Sequence, residues 1–138
     1  MKKTLLFSFI FMLAFSCSLD NDNELNVYSE FVPIQSASFP DYFEFGQIYQ
    51  ITYNYLRPST CYSFRDLYYL KEDNTRTIAV IAHVLISDNC EPLVDENIER
   101  SFDFKVNEQT GSTYFFKFWQ GEDEDGEDIF VTYEIRVQ

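Results

Sequence analysis

Six carboxylates stand within eight residues at Gly121-Glu122-Asp123-Glu124-Asp125-Gly126-Glu127-Asp128, the one stretch of this chain whose side chains could gather around a cation. Hard ions such as Ca²⁺ take about six to eight oxygen ligands. Glu122, Asp123, Glu124, Asp125, Glu127 and Asp128 are therefore candidate ligands of a weak calcium site. EF-hand spacing is not met: with Gly126 at the obligatory glycine, Gly121 takes the first ligand position and Thr132 stands where the bidentate glutamate belongs. The plainer expectation is a solvated hairpin turning at Asp125-Gly126, and a separate alternative is that the same acids serve as a docking face for a basic protein. Carboxylate pairs also do acid and base work in glycosidases, but only across a cleft, which no pattern here implies.

The other reactive types are few. His83, the only histidine, sits mid-strand beside Ile81 and Leu85, with no serine or cysteine nucleophile motif near it, and is given no role. Cys61 and Cys90 lack the spacing of a zinc site or a Cys-x-x-Cys redox pair. They read as a structural disulfide, reachable if the strands flanking residues 71 to 76 form a hairpin that sets position 61 opposite position 86. Phe115, Trp119 and Phe130 fall opposite the apparent core face of their strands. An exposed aromatic cluster there would stack on sugar rings or anchor a protein partner, unless a loop covers it.

A third cysteine, Cys17, is left over, and an odd cysteine in an exported chain needs its own explanation. Met1-Lys2-Lys3 is a short positive start, Leu5 to Phe15 is apolar apart from Ser8, and Ser16 is small, which is the layout of a secretory signal. The apolar run falls short of the roughly 20 residues of a membrane span. Ordinary secretion with cleavage after Ser16 would leave Cys17 as an exposed thiol. Ala14-Phe15-Ser16-Cys17 resembles the lipobox of bacterial lipoproteins, in which the cysteine thiol receives diacylglycerol before cleavage and the freed amine is then usually acylated. The resemblance implies lipid on Cys17 and a membrane as partner. Ser18-Leu19-Asp20-Asn21-Asp22 is similar to the start of Bacteroidota lipoproteins displayed on the outer face of the outer membrane, which implies an envelope location, outer-membrane and surface-exposed.

The organisation expected is thus a signal peptide (1–16), a lipidated cysteine with a flexible acidic tether (17–26), and one domain (27–138). The tether reaches about 30 Å at roughly 3.3 Å per residue. Loss of Lys2 and Lys3 with the signal leaves 8 basic against 23 acidic side chains, a net charge of −15. Nucleic acid, which recruits clustered Lys and Arg, is excluded as a partner.

Alternating apolar residues and frequent turn signals predict about seven strands and no helix. They lie within Val27 to Phe39, ending at Pro40, then at Gln47 to Leu56, Cys61 to Leu70, Arg76 to Ser87, Glu99 to Val106, Thr113 to Trp119 and Ile129 to Val137. Ile78, Val80, Ala82, Val84 and Ile86 should face the core, as should Ile129, Val131, Tyr133, Ile135 and Val137, with Tyr42, Phe43 and Phe45 capping one end. The class is all-β, a single antiparallel immunoglobulin-like sandwich, without the antibody placement of tryptophan and inter-sheet disulfide. The function expected is non-enzymatic: a membrane-anchored module that binds or scaffolds an envelope protein. An inhibitor or immunity lipoprotein acting on a basic protein, or a carbohydrate-binding module, is the alternative. No cofactor is expected beyond weak Ca²⁺.

Overall fold

The structure, a computed structural model, describes residues 26–138. The signal segment, Cys17 and the tether as far as Leu25 lie outside the described residues. Period-two patterning yields eight strands: β1 (Val27–Val32), β2 (Ile34–Ser38), β3 (Ile48–Leu56), β4 (Tyr62–Glu72), β5 (Thr75–Leu85), β6 (Asn97–Lys105), β7 (Thr113–Glu122) and β8 (Asp128–Arg136). No helix occurs among the described residues. One sheet joins β4, β5, β1, β7 and β8; the other runs β2-β3-β6.

The alternate residues Ile51, Tyr53 and Tyr55 of β3 meet Ile78, Val80 and Ala82 of β5 and Tyr114, Phe116 and Phe118 of β7 in one buried cluster spanning both sheets. Each ring of this size contributes roughly 2 to 3 kcal/mol by leaving water. Within the connection from β2 to β3, Phe43 is fully buried in the core, its ring 4.8 Å from Tyr49 and 5.3 Å from Phe104, and Phe39 packs half-buried against Phe116 at 4.7 Å. Tyr42 and Phe45, expected beside Phe43, are exposed.

The expected first strand is two strands. Pro33 has no N–H to continue a ladder, so the chain leaves the larger sheet there: β1 pairs antiparallel with β5, and β2 pairs with β3 in the other sheet. A second departure is one parallel pair, Thr75–Ile78 of β5 with Phe115–Phe118 of β7. Ile86 lies past the end of β5 and is 64% exposed, and Ile129 pairs with Gly121 where the ladder is bulged and is 42% exposed, so neither joins the core as expected.

Cys61 and Cys90 are disulfide-bonded with Cα atoms 5.3 Å apart. The β4–β5 hairpin turns at Asp73-Asn74, with Asp73 at φ +48°. A bulge between Phe64 and Asp66 moves the register by one, so the Leu85 N–H, rather than that of Ile86, donates to the Cys61 carbonyl at 3.0 Å. The bridge therefore ties the loop after β5 to the entry of β4. Burial pushes the Tyr53 phenol up to about 12, against an opposing pull from Arg100.

Two stability effects follow. Replacing both Cys61 and Cys90 by alanine should lower unfolding free energy by about 3 to 4 kcal/mol through the freed loop, read from urea unfolding curves in which the slope also steepens as the unfolded chain expands. Because the folded phenol of Tyr53 holds its proton to about 12 against 10.0 ordinarily, its stabilisation is complete below pH 10 and is lost as pH rises through 12. Tyr53→Phe should flatten that alkaline decline in urea titrations.

Candidate functional site

The acidic segment forms the β7–β8 hairpin loop, and its shape comes from one of its own acids. The Asp123 carboxylate oxygen Oδ1 accepts the N–H groups of Asp125 and Glu127, both at 2.9 Å, while the Asp123 N–H donates to the Glu127 carbonyl at 2.9 Å. Gly126 completes the turn at φ +81°, a region side-chain-bearing residues rarely adopt. Asp128 accepts the Trp119 indole N–H at 2.7 Å. Two of the six acids are thus engaged in local structure, and Glu122, Glu124 and Glu127 are exposed. Among the described residues no three His, Cys, Asp or Glu side chains are grouped closely enough to hold a metal ion.

Asp128 joins this loop to an aromatic groove of about 330 Å³ on the outer face of the larger sheet. Trp119 and Phe130 are register partners on β7 and β8, and they line the groove with Phe31 of β1 and Tyr68 and Leu70 of β4. Thr77 and Ala79 of β5 lie beneath them. Ala79 is the point where β7, paired as far as Ile78, gives way to β1, paired from Val80. A small side chain at that handover leaves a depression walled by the larger ones around it. Phe31 lies 5.6 Å from both Tyr68 and Trp119, at interplanar angles of 70° and 54°, so the rings form a cleft rather than a flat platform. The Lys117 ammonium stands 4.3 Å above Phe130.

Of the three aromatics expected to cluster, the fold brings Trp119 and Phe130 together. Phe115 points to the same face but lies outside the groove, four residues back along β7. His83 is exposed on this face too, in register with Ser29 and Ser63. Phe31, Tyr68 and Leu70 are groove residues that the sequence pattern did not mark. The hairpin register gave one usable signal, since it sets Tyr68 opposite Ala79 and Leu70 opposite Thr77. The bulge at Arg65 hides it by switching which alternate residues of β4 face out, and a single first strand over Val27 to Phe39 gives Phe31 no place beside them. The chain matches no protein-family model, no curated protein and no solved structure.

The hydrogen bonds separate the structural acid from the free ones. Asp123→Ala should free the Asp125 and Glu127 amides and speed their hydrogen exchange about tenfold, the effect of losing roughly 1.4 kcal/mol locally. Glu124→Ala should leave both amides unchanged.

Proposed function

We propose that this chain is a lipid-anchored, non-enzymatic binding module of the bacterial cell envelope, held through Cys17 and displayed at the outer membrane. The architecture we read as an immunoglobulin-like sandwich, with β1 and β2 as a split first strand shared between the sheets. Its binding surface is the aromatic groove together with the acidic hairpin. The partner is a basic protein that inserts an apolar side chain between Phe31, Tyr68 and Trp119 while its cations face Glu122, Glu124 and Glu127.

The observation that carries this reading is the continuity of the two features through Asp128, which lines the groove and closes the hairpin. Apolar anchors flanked by complementary charge are the usual composition of a protein contact, with the anchor supplying most of the energy and the charges the encounter rate. The tilt of the rings favours an inserted side chain over a sugar ring, which stacks on a flat platform. An inhibitor or immunity role toward a basic enzyme or toxin is one form of the same contact.

Trp119 is the only tryptophan in the chain, so its fluorescence reports the groove directly. Titration with a peptide of alternating lysine and phenylalanine should shift its emission saturably, more weakly as salt screens the acids. Replacing phenylalanine by alanine in the peptide, or Phe31 by alanine in the protein, should weaken the response about tenfold or more. A neutral oligosaccharide giving the stronger saturable shift would overturn the reading in favour of a carbohydrate-binding module, and a lysine-alanine peptide acting equally well would remove the groove from it.

A further inference from the structure

Edge strands β4 and β6 leave a second groove, of about 420 Å³, between the two sheets, lined by the inward residues Leu67 and Tyr69 of β4 rather than the outward Tyr68 and Leu70. Arg76 lies at this groove and is 2% exposed, the only charged residue buried among the described ones. Its Nη1 donates to the carbonyls of Asp73 and Thr75 at 2.7 and 2.8 Å, and its guanidinium sits 5.1 Å from the Tyr114 ring centroid. These contacts satisfy donors without neutralising charge. The one ion pair among the described residues, Arg57 with Glu96, is elsewhere, and the neutral Tyr69 hydroxyl lies within hydrogen-bonding reach of the Arg76 guanidinium.

A buried cation without a counter-charge is costly, and it is odd in a chain with such an excess of carboxylates. Lys71 and Lys105 line the same groove, so three of the eight basic residues after Cys17 converge on it, beside the neutral polar groups of Tyr69 and Asn107 and the apolar ring of Phe102. We propose that this groove binds a small organic anion, whose carboxylate meets Arg76 and whose apolar body rests on Phe102. The guanidinium edge away from the hairpin carbonyls, together with the Tyr69 hydroxyl beside it, presents donors that match a carboxylate. Asp103 on the same rim opposes a second negative charge and so disfavours phosphate and sulfate.

The test is NMR titration of the intact chain in detergent micelles with benzoate, its uncharged analogue benzamide, and inorganic phosphate. Benzoate should move the Arg76 Nε–H and the Phe102 to Lys105 amide signals saturably, with benzamide and phosphate each about tenfold weaker or more. Lys71→Gln combined with Lys105→Gln, two exposed changes that leave the core intact, should weaken benzoate several-fold while the rest of the spectrum is retained. Arg76→Lys should abolish the response. The proposal is overturned if benzoate leaves the Arg76 signal in place, if benzamide or phosphate binds as well, or if the double lysine variant binds benzoate unchanged. Trp119 emission stays constant in these titrations, which keeps the outcome separate from that of the aromatic groove.

Discussion

The hydrogen-bonding edge of β5 is shared by two strands, and most of what is distinctive in this molecule depends on that division. β4 occupies the other edge along its whole length, so β7 and β1 must divide what remains, one as far as Ile78 and the other from Val80. β7 then has to bend away, which it does at the bulge between Trp119 and Gly121, where Gly121 takes φ +118°. β1 has to end as it reaches β7, which Pro33 brings about by releasing the chain to the smaller sheet. Gln120, beside the bulge, donates to the Ile34 carbonyl at 3.3 Å and fastens the crossing. The aromatic groove over Ala79 is the surface expression of this junction.

Tyrosines do much of the fastening elsewhere. The rings of Tyr114 and Tyr133 pack against the shared core while their hydroxyls accept backbone N–H groups that no ladder satisfies: Tyr114 takes those of Asn107 and Glu108, both at 3.0 Å, and Tyr133 takes that of Ala37 at 3.1 Å. The Tyr49 hydroxyl likewise accepts the Glu44 N–H at 3.0 Å, holding the connection whose Phe43 plugs the core. An apolar body with one polar end suits a small core, because the same residue fills volume and removes an unpaired donor from the loop beside it. Among the carboxylates, Asp123 and Asp128 shape the β7–β8 hairpin, Glu30 accepts the Tyr62 hydroxyl, Asp66 accepts the Leu67 N–H, and Glu96 pairs with Arg57.

Strand identity was legible in the sequence wherever a strand is half-buried and regular. β3 is the clearest case, with Ile51, Tyr53 and Tyr55 inward as alternation requires. The disulfide was legible from cysteine count and hairpin spacing, to within the one-residue shift that the Arg65 bulge introduces. Bulges and shared edges were not legible, because each depends on strands distant in sequence: nothing local to Val27–Phe39 states that its two halves belong to different sheets, and nothing local to β7 states that it runs parallel to β5. The groove inherits that opacity, since it combines residues from five strands around one alanine. Arg76 was hidden for a related reason. Its alternation places it inward, but a basic residue at a strand end beside a turn normally reaches solvent, and only the packing of β6 across it shows that it does not.

The chain enters the described structure at Asn26, whose carbonyl accepts the Ile86 N–H at 2.8 Å, and β1 then runs straight to the groove, with Phe31 one residue short of its end. Tension between the N-terminal side and anything gripping Phe31 is therefore carried along a single strand. β1 lies antiparallel to β5 over six register pairs, so such a pull loads their hydrogen bonds in shear and together, rather than peeling them one by one. At the entry point the disulfide holds the loop that follows β5 to the start of β4, which extends the loaded unit to three strands.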